Sequence, residues 1–145
     1  MDFINKVIHA LTVTHPIHPM LVHFPIALTG AGALLILIAA WKKYNALEVA
    51  AFANLTLAFF GALAAAFTGI RSNIETYDGA APNAMVKITL ASILILITGF
   101  TAYSRWRNPN LFASSARSIY ISAYLISFAI VLVLAFLGGV ILYGY

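Results

Sequence analysis

The 145 residues are 63% hydrophobic and only 8% charged, with a mean hydropathy of +0.97, too few charges to keep a globular surface in water. The formal charge of +4 comes from eight Lys and Arg against four Asp and Glu, a balance that reads as membrane topology and not as a patch for nucleic acid. The lack of cysteine excludes disulfides, thiolate metal sites and covalent attachment of a c-type haem.

In chain order, residues 1–14 carry Phe3, Ile4, Val7, Ile8 and Leu11 at helical spacing, which predicts a short amphipathic helix lying at the membrane interface. No small-residue cleavage pattern precedes His15, so this segment is expected to be retained. Four apolar stretches follow, at 19–41, 47–70, 85–103 and 119–143. Each is near the ~20 residues that cross a bilayer as a helix. Helices are required because lipid offers no partner for a free backbone N–H or C=O. The expectation is an all-α integral membrane protein: one domain over 1–145, a four-transmembrane-helix bundle with the interfacial segment in front. Asn54 reads as an interhelical hydrogen-bonding residue, and Gly30, Gly32, Gly61, Gly69, Gly99, Gly138 and Gly139 as close-packing points.

Orientation follows from the basic residues in the short connections. Lys42, Lys43, Arg105, Arg107 and Arg117 flank the first and third loops, whereas the other side holds Lys6, Arg71 and Lys87 with Asp2, Glu75 and Asp78. The first and third loops should therefore lie in the cytoplasm, and both termini outside a bacterial inner membrane, in the periplasm. Trp41, Tyr44, Tyr103 and Trp106 fit an inner aromatic belt, Tyr143 and Tyr145 an outer one.

The stretch HPIHPMLVHFPIAL at 15–28 gathers three of the four histidines and three of the five prolines at the mouth of the first span. Pro16 and Pro19 suit an extended approach and a first helical turn, where a missing N–H is harmless. Pro25 falls inside the helix, removes the donor for the Leu21 carbonyl and bends the axis beside His23. An ionisable residue within a span is a functional candidate, which makes His23 a ligand for a cofactor or metal, or a donor to a neighbouring helix. His18 and Met20 are candidate companions. His9 and His15 read most simply as interfacial polar residues, Met20 as packing, Lys87 as a side chain reaching to the interface, and Arg71 as a cap on the second helix.

His18-Pro19 and Val22-His23-Phe24-Pro25-Ile26, with the apolar run behind them, resemble the N-terminal signature of a bacterial predicted membrane protein family, domain of unknown function 2231. That resemblance implies about four transmembrane helices. Members often carry Gly-x-x-Asp near the end of the second helix and a histidine early in the third. Here those regions read Thr68-Gly69-Ile70-Arg71-Ser72 and Asn83-Ala84-Met85-Val86-Lys87, and neither residue is in place. Related domains fused to c-type cytochromes imply a redox setting.

Three functional classes remain. One is a redox-linked membrane subunit holding haem b or a chlorophyll-type pigment through His23, with no histidine further along the chain to act as second axial ligand. Another is a copper, zinc or iron site built from His15, His18 and His23 with Met20 or the Glu75/Asp78 pair. The third is a purely structural subunit. The partners expected are lipids and other membrane subunits or further copies of the chain. No hydrolase or nucleotide-binding motif is present, so enzyme activity is not expected, and a transporter is disfavoured by the lack of an obvious intramembrane carboxylate. The favoured reading is a small accessory subunit of a larger redox-linked complex.

Overall fold

The computed structural model describes residues 2–5 and 17–143, with side chains up to 140. Four long helices account for nearly all of it: α1 (Ile17–Lys42), α2 (Asn45–Tyr77), α3 (Ala84–Arg107) and α4 (Arg117–Tyr143). Each contains a window long and apolar enough to cross a membrane. Residues 3–5 are helical, but most of the expected interfacial helix, with His9 and His15, lies outside the described residues.

The helices outrun the apolar stretches from which they were anticipated. At 1.5 Å per residue the 33 residues of α2 extend about 50 Å, well beyond a hydrocarbon core of about 30 Å. The excess falls after Ile70, where the chain turns polar. Arg71 is therefore inside the helix and not a cap; it pairs with Glu75 one turn on, Nε to Oε1 at 2.7 Å, with both side chains exposed. The stop comes at Asp78 and Gly79, both with positive φ. Asn73 then clamps the loop by accepting from the Ala81 N–H and donating to the Gly79 carbonyl.

α1 and α2 are joined by a tight turn. Lys43 adopts a left-handed conformation (φ 54°), and the Tyr44 N–H reaches back to the Ala39 carbonyl at 3.3 Å, closing the last turn of α1 as in a Schellman motif. The neighbouring Ala40 carbonyl accepts from Arg117 at 2.9 Å, so the first residue of α4 completes the end of α1. Between α3 and α4, a short 3-10 turn (Leu111–Ala113) pushes Phe112 into the bundle, and the Arg117 guanidinium lies 4.7 Å above its ring.

Packing closes the helices into a ring, α1 against α2 and α4, α3 against α2 and α4. Small residues allow the close approaches. A Cβ on Gly61 would sit 3.2 Å from Cδ of Pro25, one on Gly99 2.7 Å from the Phe59 ring, and one on Gly69 2.9 Å from the His18 ring. Gly138 and Gly139 depart from the expectation: among the described residues nothing lies within 4 Å of a Cβ at either. Asn54 departs too, because its amide donates to the Ala50 carbonyl of its own helix and not across the bundle. Trp41, Tyr44, Tyr103 and Trp106 are all exposed at the end that carries the basic loops, consistent with an aromatic belt there.

Candidate functional site

The two described histidines of the His-Pro segment occupy different faces of α1. Five residues turn a helix by about 140° and advance it about 7.5 Å, so His18 and His23 cannot converge on one small ligand from a regular helix. His18 faces α2. Its Nδ1 lies 3.2 Å from the Thr68 hydroxyl, whose single proton is already donated to the Ala64 carbonyl at 2.9 Å. The hydroxyl therefore accepts, and His18 donates from Nδ1. Its Cε1 and Nε2 edge rests in the space left by the missing side chain of Gly69, which makes His18 a wedge between α1 and α2.

His23 is exposed, on the side of α1 away from its neighbours. Its Nδ1 approaches the Pro19 carbonyl to 2.6 Å. A carbonyl can only accept, so Nδ1 carries a proton, and in the neutral ring Nε2 is the nitrogen with the lone pair. No hydrogen bond to Nε2 occurs among the described residues. Met20, one turn earlier and about 60° away, is 53% exposed, so it shares this face. Pro25 is buried against Gly61, which seats α1 on α2 just beyond His23. Lys87 sits half-buried in the first turn of α3. Of the grouping His15, His18 and His23, the first lies outside the described residues and the other two occupy different faces of α1; no cluster of three or more His, Asp or Glu side chains suited to a metal occurs among the described residues.

At the opposite end, the structure reveals a buried charge that sequence reasoning passed over. Glu48, in the first turn of α2, is 3% exposed. Its carboxylate receives Arg105 Nε on Oε1 at 2.7 Å and Arg105 Nη2 on Oε2 at 2.8 Å, a two-point grip from α3. The Tyr120 hydroxyl of α4 donates to Oε1 at 2.8 Å. With that proton committed, the 2.9 Å contact between Tyr120 and Tyr124 has Tyr124 as donor. The hydrogen-bond chain therefore runs Tyr124, Tyr120, Glu48. The two rings meet edge to face at 5.2 Å, and the Arg105 guanidinium lies 5.4 Å from the Phe52 ring. Every buried side-chain polar atom among the described residues has a partner. Removing one partner would strand a buried charge, which makes the cluster a clamp on α2, α3 and α4.

A ring of four membrane-length helices, with a polar clamp at one end and an exposed histidine near the other, is the architecture of a small multi-pass membrane protein. The chain belongs to the family described as Predicted membrane protein (DUF2231), whose model matches residues 14–145. No curated protein and no solved structure matches this sequence. The family description assigns no activity, and the outward faces of the helices are those of a protein in contact with lipid.

Proposed function

We propose that the chain is a small accessory subunit of a redox-linked membrane assembly, and that His23 supplies an axial ligand to a metal-centred macrocycle, haem b or a chlorophyll-type pigment. The observation that carries this reading is the state of His23. Its Nδ1–H is tied to the Pro19 carbonyl, which leaves Nε2 as the coordinating nitrogen of the neutral ring, on an exposed face of the helix. A proton on Nδ1 held by a backbone carbonyl also orients an imidazole that coordinates through Nε2. Six residues from the start of α1 place it about 9 Å along the helix, where an unpaired acceptor facing hydrocarbon is unfavourable.

A macrocycle suits one histidine better than a bare ion does. It brings four equatorial nitrogens of its own and asks the protein for only one or two axial ligands. Copper or zinc would need several donors from the chain, and the described part of the His-Pro segment offers His18 and His23 on separate faces. In this reading the basic loops face the cytoplasm of a bacterium, and His23 lies near the periplasmic surface.

The competing structural reading draws on His18, whose contact with Thr68 and Gly69 needs no ligand. An absorption spectrum and metal analysis of natively purified protein separate the two. The expected result is a porphyrin or chlorin spectrum that His23→Ala abolishes while the bundle stays inserted. Native protein without any chromophore or metal, with His23→Ala unchanged, would identify the segment as packing alone.

A further inference from the structure

We propose that the end of the bundle carrying the two basic connections is a binding surface for anionic phospholipids, whose headgroups are held by Lys42, Lys43 and Arg107. Five basic residues lie at this end, Lys42, Lys43, Arg105, Arg107 and Arg117, against a single acid, Glu48. That acid is buried and closed over by Arg105 and Tyr120, so its charge is neutralised inside the bundle. Arg117 donates to the Ala40 carbonyl and covers the Phe112 ring. Lys42, Lys43 and Arg107 remain, all exposed, and none of them makes an ion pair among the described residues. At the other end Arg71 and Lys87 are matched by Glu75 and Asp78, so the uncompensated charge belongs to the basic end.

Exposed apolar stripes lead up to these cations. On α1, Leu34, Leu37 and Trp41 are exposed along one helix face, and the Lys42 ammonium lies 4.1 Å above the Trp41 ring. On α3, Leu96, Phe100 and Tyr103 are exposed in the same manner, and Arg107, one turn beyond Tyr103, continues that face. Trp106 meets Tyr103 edge to face at 6.3 Å. Each stripe passes from hydrocarbon side chains through an amphipathic aromatic to a cation, the order in which a phospholipid presents its acyl chain, its glycerol and its headgroup. α1 and α3 stand at opposite corners of the ring, so the surface offers two such tracks. A zwitterionic headgroup brings a cation of its own beside the phosphate, whereas an anionic one supplies the charge that these side chains lack. At 1.5 Å per residue Trp41 is about 27 Å along α1 from His23, so this surface and the His23 face are separate.

Trp41 and Trp106 are the chain's two tryptophans, and both sit at this end, so their fluorescence reads the surface directly. The test places the full chain in phosphatidylcholine vesicles containing a minor fraction of lipid brominated on its acyl chains, which quenches a tryptophan it touches. The apparent binding constant of brominated phosphatidylglycerol should exceed that of brominated phosphatidylcholine about fivefold, the preference that one basic side chain contributes beside an anionic surface. High salt should shrink the difference. Neutralising the three cations together, Lys42→Gln, Lys43→Gln and Arg107→Gln, should abolish it, while Arg71→Gln at the far end should leave it intact. Equal quenching of the native chain by the two lipids, or a preference that survives the triple neutralisation, would overturn the proposal.

Discussion

The guanidinium of Arg105 grips the carboxylate of Glu48 at two points, 2.7 and 2.8 Å, across 57 residues of sequence. Both side chains are largely hidden, 12% and 4% exposed, and the pair joins the first helical hairpin to the second. Breaking a buried pair by removing one partner typically costs about 3–5 kcal/mol, whereas replacing both with apolar groups is often neutral. Glu48→Ala and Arg105→Ala should therefore each lower the unfolding midpoint in detergent strongly. Glu48→Leu combined with Arg105→Leu should recover much of the loss. Single variants as stable as the native chain would show that the clamp is dispensable.

Gly61, packed midway along α2, and Gly138, near the end of α4, should respond differently. Gly61→Leu forces a side chain against the Pro25 ring, which has little freedom to yield, and overpacking of this kind costs about 1–3 kcal/mol. Gly138→Leu enters open space and exchanges a poor helix former for a good one. Thermal unfolding of the isolated chain should rank Gly61→Leu well below the native protein and Gly138→Leu at or slightly above it.

The two histidines should separate in the same assays. Thr68→Val removes the acceptor for the His18 Nδ1–H, and the loss of one such hydrogen bond is worth about 0.5–1.5 kcal/mol. It should soften the α1–α2 contact without altering any chromophore. His23→Ala should leave thermal stability of the chain nearly unchanged, because its described hydrogen bond is to its own helix, yet remove the chromophore. A spectrum that follows Thr68→Val and ignores His23→Ala would reassign the ligand to His18.

Topology is open to a direct check because the chain has no cysteine of its own. Cysteines placed at Asn45 and Asn110, in the basic connections, should resist an impermeant thiol reagent in intact cells. One at Ala80, exposed in the α2–α3 loop, should react. The inverse labelling pattern would put His23 near the cytoplasmic face.

The helices were legible in the sequence because hydropathy over a span is a sum of local contributions, and the lipid requirement for internal hydrogen bonding leaves helix as the answer. Their ends were less so, since α2 continues through Arg71 and Glu75 by helical pairing that hydropathy does not register. The Glu48 clamp went unseen for another reason. Its partners come from α3 and α4, 57 and 72 residues away, and nothing in the local pattern pairs them. A usable signal was present: an acidic residue just inside the second apolar stretch, with an arginine and a tyrosine bordering the third loop at matching depth. At the His-Pro segment the residue types drew attention correctly, but only the backbone phase of α1 separates His18, turned inward, from His23, turned out.

The distance along the chain between Glu48 and Arg105 also sets a schedule. A ribosome adding roughly 5–20 residues per second needs about 3–11 seconds to make the 57 residues between them. Throughout that interval the newly made first hairpin carries an acid whose guanidinium does not yet exist. Until the second hairpin arrives, water at the end of the helix is the partner open to that carboxylate, because an acid buried without its hydrogen-bond donors is costly. Burial of the acid is thus a late step, completed only once both halves have met and Arg105 and Tyr120 close over it.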